Sequence, residues 1–432
     1  MAAASAAIAP SGFELEKGYE PQRIVVKYSP ASPSAAHVST AQASDPSEEG
    51  TTRRLTLLPG VSLSATLAKL RRRKDVEWAV PDYVAHTTSI QLPNDPGLGR
   101  SPGDWQQLQW NFSGPFSVNA PQAWANVSAD DAPGGSKVVV AVLDTGVAYA
   151  NRGKYRRSPD FNGYTFVQGH DFISRTSYPN DHNGHGTFVA STIAEATNNH
   201  YGLTGLAYAA RIMPVRVLDA SGEGDASVIA EGVRFAVNHG ARVINLSLEF
   251  SSEVSASDIP ELMEALRYAY RRNVTVVAAA GNEGDTVIPY PARAPHVIAV
   301  GATTEHGCLA AYSNYGRHIT LVAPGGGPDA TLPGDPNCNP ELPPGRDIYQ
   351  MTFTGSSPRV FGFPGGYEGT SMATPHVTAA VALIIAARVL GAKPTPSQIT
   401  ARLKATARRL GGAGDRGFYG AGLLDAGAAT AR

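Results

Sequence analysis

Cysteine is scarce: Cys308 and Cys338 are the only two in 432 residues. Neither sits in the motif of a thiol protease, so a cysteine nucleophile is not expected. A surplus of charge is also missing, since 36 basic residues face 37 acidic ones. That balance gives no footprint for nucleic acid or an anionic membrane, and neither is expected as a partner. No segment reads as the ~18 apolar residues of a membrane span. A Gly-x-Ser-x-Gly elbow, a His-Glu-x-x-His zinc motif and a phosphate-binding glycine loop with Lys are all absent. No long internal repeat occurs. Glycine (45) and proline (32) are plentiful instead, which points to tight turns and surface loops. The length suits two or three domains.

Four polar residues stand out because each ends or begins an apolar segment. Gly369-Thr370-Ser371-Met372-Ala373-Thr374-Pro375-His376 leads into residues 377–390, which are almost free of charge and read as a buried helix. A serine in the first turn of such a helix meets unpaired N–H groups and the positive end of the dipole. That setting suits a nucleophile whose reaction creates negative charge; a plain helix cap is the alternative. Asp144 ends Val138-Val139-Val140-Ala141-Val142-Leu143, a run typical of a parallel strand buried on both faces. It stands at the carboxyl end of that strand, where open α/β sheets place their sites, although acids also simply make turns there. His185 is flanked by glycines in Asn183-Gly184-His185-Gly186-Thr187, at the start of a helical pattern. Asn282 follows the strand-like Val276-Val277-Ala278-Ala279-Ala280-Gly281. Its amide is either an ordinary turn element or a donor to an oxyanion.

The chain order Asp, His, Ser differs from the chymotrypsin and α/β-hydrolase orders and agrees with that of subtilisin. Together with Val243-Ile244-Asn245-Leu246-Ser247-Leu248, these blocks resemble the subtilisin family (subtilases), with thermitase-like features, over nearly the whole chain. The histidine sets it apart from the related sedolisins, which carry an acid there. The resemblance implies a secreted serine endopeptidase that hydrolyses protein or peptide substrates through an acyl-enzyme. Ser371 would attack, His185 would move the proton, and Asp144 would orient the imidazole. Asn282 and the Ser371 N–H would hold the oxyanion. Met1-Ala2-Ala3-Ala4-Ser5 does not read as a secretion leader. Either a leader is missing from this sequence or the protein is cytoplasmic.

The alternation of apolar strands and helices implies an α/β fold with a doubly wound, mostly parallel sheet flanked by helices. Residues 1–20 read as a disordered tail and 89–432 as the catalytic domain. Between them, residues 21–88 read as a strand at 23–28, a mobile loop at 29–50, a strand at 54–58, a helix at 62–73 and a strand at 76–80. By resemblance this is a small α+β, ferredoxin-like prodomain: a propeptide that assists folding and inhibits the enzyme. Its tail at 81–88 would lie in the cleft, with autoprocessing between residues 86 and 91. The enzyme is expected to act as a monomer.

By the same resemblance, Gly222-Glu223-Gly224 and Ser247-Leu248 are edge segments that take an extended substrate as an added strand. Ser247-Leu248-Glu249 and Ala280-Gly281 wall the primary pocket. Glu249 stands where subtilisins usually carry glycine; it either admits basic side chains or points to solvent. Thr197, Asn199, Tyr201 and Leu203, with Asp95 and Asp160, resemble the family's calcium site, a donor set of hard oxygens. No organic cofactor is implied. Asp171 and Asp181 read as solvated loop acids, with a second cation site as the alternative. Cys308 and Cys338 either form a bridge, closing about 31 residues and worth roughly 3.5 kcal/mol, or remain buried thiols.

Overall fold

The computed structural model describes residues 19–29, 41–43, 52–83, 92–412 and 416–432. The chain divides into two compact units, Met1–Ser89 and Ile90–Arg432. Of the expected cleft-lying tail at 81–88, residues 81–83 instead continue the last strand of the first unit, and of the expected N-terminal tail at 1–20, Tyr19 and Glu20 begin its first strand. The rest of both, and the expected cut between 86 and 91, lie outside the described residues.

In the first unit, β1 (Tyr19–Tyr28), β2 (Ala41–Ala43) and β3 (Thr52–Leu57) precede α1 (Leu63–Arg71) and β4 (Val76–Tyr83). They form an antiparallel sheet in the order β2-β3-β1-β4. This is a ferredoxin-like arrangement of strands with a helix on the β3–β4 connection. Ile24, Val26 and Tyr28 alternate inward along β1 and pack with Leu55, Leu57, Leu67 and Leu70, as strand and helix periods require. Ser62 caps α1 by accepting from the Ala65 N–H at 3.3 Å. Strand β2 falls inside the stretch read as a loop. Its Ala-Gln-Ala sequence has no strand propensity, and its order comes from pairing with β3.

The second unit carries α2 (Ala120–Ala129), β5 (Val139–Asp144), β6 (His170–Asp171), α3 (His185–Ala194), β7 (Arg211–Arg216), α4 (Ala226–Asn238), β8 (Val243–Leu246), α5 (Pro260–Arg271) and β9 (Thr275–Ala279). It continues with β10 (Val297–Thr303), β11 (Leu321–Pro324), the hairpin β12 (Thr352–Phe353) and β13 (Phe361–Gly362), then α6 (Thr370–Ala387), α7 (Pro396–Thr406), α8 (Arg416–Tyr419) and α9 (Ala426–Thr430). Seven strands form one sheet in the order β11-β10-β9-β8-β5-β7-β6, and all its pairs are parallel. Val140 and Val142 of β5 pack with α2, α3, α6, α7 and α9 on one face. Ala141 and Leu143 pack with α4 and α5 on the other. Burial on both faces explains why these strands read as unbroken apolar runs.

Helix α6 runs through the core. Its length and mean hydropathy of 1.5 match a membrane span, but 89% of it is buried in protein, so it is a core helix. Cys308 and Cys338 are bridged, with Cα atoms 4.8 Å apart. This resolves the alternative left open by the sequence.

Candidate active site

Asp144 is the last residue of β5 and is fully buried. His185 is the first residue of α3, after Gly184 at φ 112°, a left-handed conformation that glycine adopts without strain. Gly186 lets the helix come this close to the strand: a Cβ there would lie 2.1 Å from the Gly146 carbonyl and 3.0 Å from the Asp144 Cβ. The result is a 2.8 Å contact between His185 Nδ1 and Asp144 Oδ1. Burial works against the imidazolium. The Asp144 charge and hydrogen bond, with Asp181 adding, outweigh it and raise the His185 pKa above its ordinary value.

Asp181 is not a solvated loop acid. It is buried, and its Oδ1 accepts from Thr145 Oγ1 and from the Asn183 and Gly184 N–H groups, each at 2.9 Å. Its Oδ2 accepts from the Thr187 N–H at 2.9 Å and from Thr187 Oγ1 at 2.6 Å. These bonds tie up donors at the start of α3 and fix the loop that carries His185. Asp171 is likewise buried, in an ion pair with Arg216 at 3.1 Å. Neither acid is solvated, and each already has protein partners in place of a cation. The sequence reading took Asp181 for a solvated acid and assigned no role to the side chains of Thr145 and Thr187. An acid four residues before a glycine-flanked helix start was the available signal.

Ser371 lies in the first turn of α6. Its Oγ donates to the Ser247 carbonyl at 3.3 Å, and its own carbonyl accepts from Ser247 Oγ at 2.8 Å. That carbonyl is free because Pro375, four residues on, has no N–H to offer it. The missing helix bond thus becomes a tether between the serine and the strand-end segment at Ser247. Gly369, just before the helix, is held by its N–H to Tyr312 Oη at 2.9 Å.

Asn282 is oriented from the same turn. Its Oδ1 accepts from the Thr370 N–H at 2.8 Å and from Thr370 Oγ1 at 3.0 Å. This turns the Nδ2 group outward, where one contact reaches Glu249 Oε1 at 3.4 Å. His185, Gly222, Glu223, Gly224, Ser247, Leu248 and Glu249 line one cleft of about 510 Å³. Ala280 and Gly281 stand outside that lining; the Gly281 N–H donates to Thr370 Oγ1 at 3.2 Å. Glu249 does not point freely to solvent. Burial, then repulsion by Glu283, pushes its carboxyl up to about 7.

The loop resembling a calcium site is also assembled. Asp95 accepts from the Asn198 and Asn199 N–H groups at 3.0 and 3.1 Å. Asp160 accepts from Asn199 Nδ2 at 2.7 Å and from the Leu203 N–H at 2.9 Å. Asn199 Oδ1 instead accepts from the Tyr201 N–H at 2.9 Å. Thr197 Oγ1 meets Thr204 Oγ1 at 2.6 Å. Asp95 and Asp160 are fully buried, and burial, aided by the charge of Asp95, pushes Asp160 up to about 8. Glu195, which the sequence reading passed over, is buried with both carboxyl oxygens unpartnered. Among the described residues no three His, Cys, Asp or Glu side chains converge as a metal site. Any ion here would need amide and carbonyl oxygens beside the two aspartates.

The Subtilase family matches residues 135–422. The chain is 39% identical over 332 residues to subtilisin Savinase of Lederbergia lenta, covering 75% of this chain and 99% of that one. It is 37% identical over 301 residues to thermitase of Thermoactinomyces vulgaris, covering 70% and 90%. Among solved structures, a protease from Pseudoalteromonas arctica superposes with a TM-score of 0.62 at 32% identity, over 79% of this chain and 99% of that one. The chain belongs to the subtilase family and is a serine endopeptidase.

Proposed function

We propose that the enzyme cleaves peptide bonds with Ser371 as nucleophile, His185 as general base and then acid, and Asp144 as the orienting carboxylate. The observation that carries this reading is the 2.8 Å contact of His185 Nδ1 with Asp144 Oδ1 at the edge of the cleft. With Nδ1 committed to Asp144, Nε2 is the nitrogen left to take the serine proton. The Ser371 hydroxyl rotates from the Ser247 carbonyl toward Nε2 as substrate enters; such bonds commonly tighten only in the complex. Oγ then bonds to the scissile carbonyl carbon. The Asn282 amide and the Ser371 N–H receive the oxyanion, and the imidazolium protonates the leaving amine. Water, deprotonated by the same imidazole, releases the acyl group. Residues 222–224 and 247–248 take the substrate as an added strand.

The test is Ser371→Ala, expected to lose peptide hydrolysis and labelling by a fluorophosphonate probe while its melting temperature stays unchanged. Normal turnover in that variant overturns the assignment. For Asn282→Ala the expected cost is about 2.7–4 kcal/mol in barrier, a size borrowed from a subtilisin itself.

The first unit is read as an inhibitory, folding-assisting propeptide that the enzyme removes between residues 86 and 91. Its retention in active protein, seen by mass spectrometry, rules this out. The bridged cysteines favour an oxidising compartment, and so secretion. Calcium is assigned to the loop at 197–203. Among the described residues the buried Asp95 and Asp160 carboxyls form no ion pair, and a calcium ion bound there would supply positive charge. Asn199 would turn its amide oxygen toward the ion, and the carbonyls of Thr197, Tyr201 and Leu203 would complete the set. The working enzyme is taken to be a monomer acting on protein or peptide substrates.

A further inference from the structure

Two carboxylates overhang the residue before Asn282. A Cβ built on Gly281 would lie 2.2 Å from Asn314 Nδ2, 2.7 Å from Glu249 Oε2 and 2.9 Å from Glu283 Oε2, so two carboxylates and one amide crowd the same point. The carboxylates arrive from different elements, Glu249 after β8 and Glu283 after β9. Glu283 Oε2 accepts from Asn314 Nδ2 at 2.6 Å. Glu249 is less well served. Its carboxyl faces the Asn282 backbone N–H and makes a long 3.4 Å contact from Oε1 to Asn282 Nδ2, while its buried Oε2 has no hydrogen-bond partner. Among the described residues neither acid takes part in an ion pair. The other titratable groups lining the cleft are Glu223 and His185. The first adds negative charge, and the second already faces Asp144. The corner beside the oxyanion donor therefore holds acid without base; burial first, then the Glu283 charge, push Glu249 up.

A scissile carbonyl resting on the Asn282 amide fixes what lies next to it. The side chain of P1, the residue that owns that carbonyl, branches from the carbon next to it and enters the cleft that Glu249 lines. We propose that Glu249, backed by Glu283, selects substrates with a cationic P1 side chain, lysine or arginine. This rests on the assignment of Asn282 as oxyanion donor and Ser371 as nucleophile. The effect is double. A lysine ammonium or arginine guanidinium supplies the missing donors to Glu249 Oε2. It also cancels a negative charge that otherwise opposes the oxyanion forming on the neighbouring amide. A neutral P1 residue gains neither benefit, and an acidic one is repelled.

The experiment measures kcat/KM of the protein, made at full length and left until its own processing is complete, at about pH 8 on peptides that differ only at P1: Arg, Lys, Leu and Glu. Arg and Lys are expected to exceed Leu by roughly ten-fold or more, with Glu the poorest. Glu249→Gln, which keeps the shape, is expected to lower the Arg-to-Leu ratio about ten-fold, and Glu283→Gln to lower it less. A preference for Leu over Arg, or an unchanged ratio in Glu249→Gln, overturns the proposal. Inhibition of the unaltered protein by benzamidine against neutral benzamide tests it without any variant. Benzamidine is expected to bind at least ten-fold more tightly, and equal inhibition refutes the proposal. If none of the P1 peptides is cut, the assignment of Ser371 and Asn282 falls instead, which separates the two failures.

Discussion

Two histidines of the second unit lie on opposite sides of ordinary imidazole behaviour. Burial takes His376 down to about 4, so it stays neutral. Its Nδ1 meets the Met372 carbonyl at 2.9 Å and its Nε2 the Asn111 amide at 2.7 Å. It is a structural pin of α6. His185 is raised by its acids. A base must be neutral to act, so activity should fall as pH drops through a midpoint above the ordinary imidazole value. Asp144→Asn removes the main raising charge. It should move that midpoint down and cut kcat by about 10⁴-fold, the size seen for the same change in trypsin; a pH–rate profile checks both. Glu249 gives a separate signature. A carboxyl titrating at about 7 loses its charge below that pH, so the Arg-to-Leu ratio should climb between roughly pH 6 and 8. The ratio cancels the titration of His185, which serves both substrates alike. At this scale the sequence singled out Asp144, His185 and Asn282 only as a set, because each closes or opens an apolar segment while each alone also reads as a turn or structural residue. It misjudged Asp181 as a solvated acid, because the bonds to Thr145 and Thr187 exist only once the loop has folded over the end of β5. The direction of the Glu249 side chain depends on Asn282 and Glu283 and was equally hidden.

Among the elements, α6 is the most informative. Pro375 costs it a hydrogen bond and releases the Ser371 carbonyl to Ser247. Pro375→Ala should restore the helix bond and loosen that tether. The expected outcome is an unchanged or raised melting temperature, with kcat/KM down by as much as about 10²-fold from misplacement of the serine. Gly186→Ala acts on α3 instead. Its new Cβ would strike the Gly146 carbonyl and force the helix off β5. A loss of roughly 1–3 kcal/mol is expected in denaturant unfolding. Apolar runs made the parallel strands legible, and the charge-free stretch did the same for α6. Strand β2 was not legible, since its order is imposed by a neighbour rather than by its own residues.

For the whole molecule, stability should depend on two links that tie distant parts of the second unit. The Cys308–Cys338 bridge closes a long glycine- and proline-rich loop. Replacing both cysteines by serine should cost about 2–4 kcal/mol. Chelation by EDTA should lower the melting temperature by leaving Asp95 and Asp160 without a counter-charge, and added Ca²⁺ should restore it. No shift at all would count against the calcium assignment. The order of the central sheet has a consequence of another kind. Strand β5 pairs with Arg211 and its neighbours on one side and with Val243 and its neighbours on the other. The middle of the sheet therefore waits for chain made much later, and loop closure must precede most of its contacts. A topology so dominated by distant pairings folds slowly, whereas the first unit pairs its strands over smaller separations, from Lys27 with Thr52 to Tyr19 with Tyr83. A newly made chain should thus pass through a period in which one end is ordered and the other is still searching. Refolding after dilution from denaturant should show two well-separated phases.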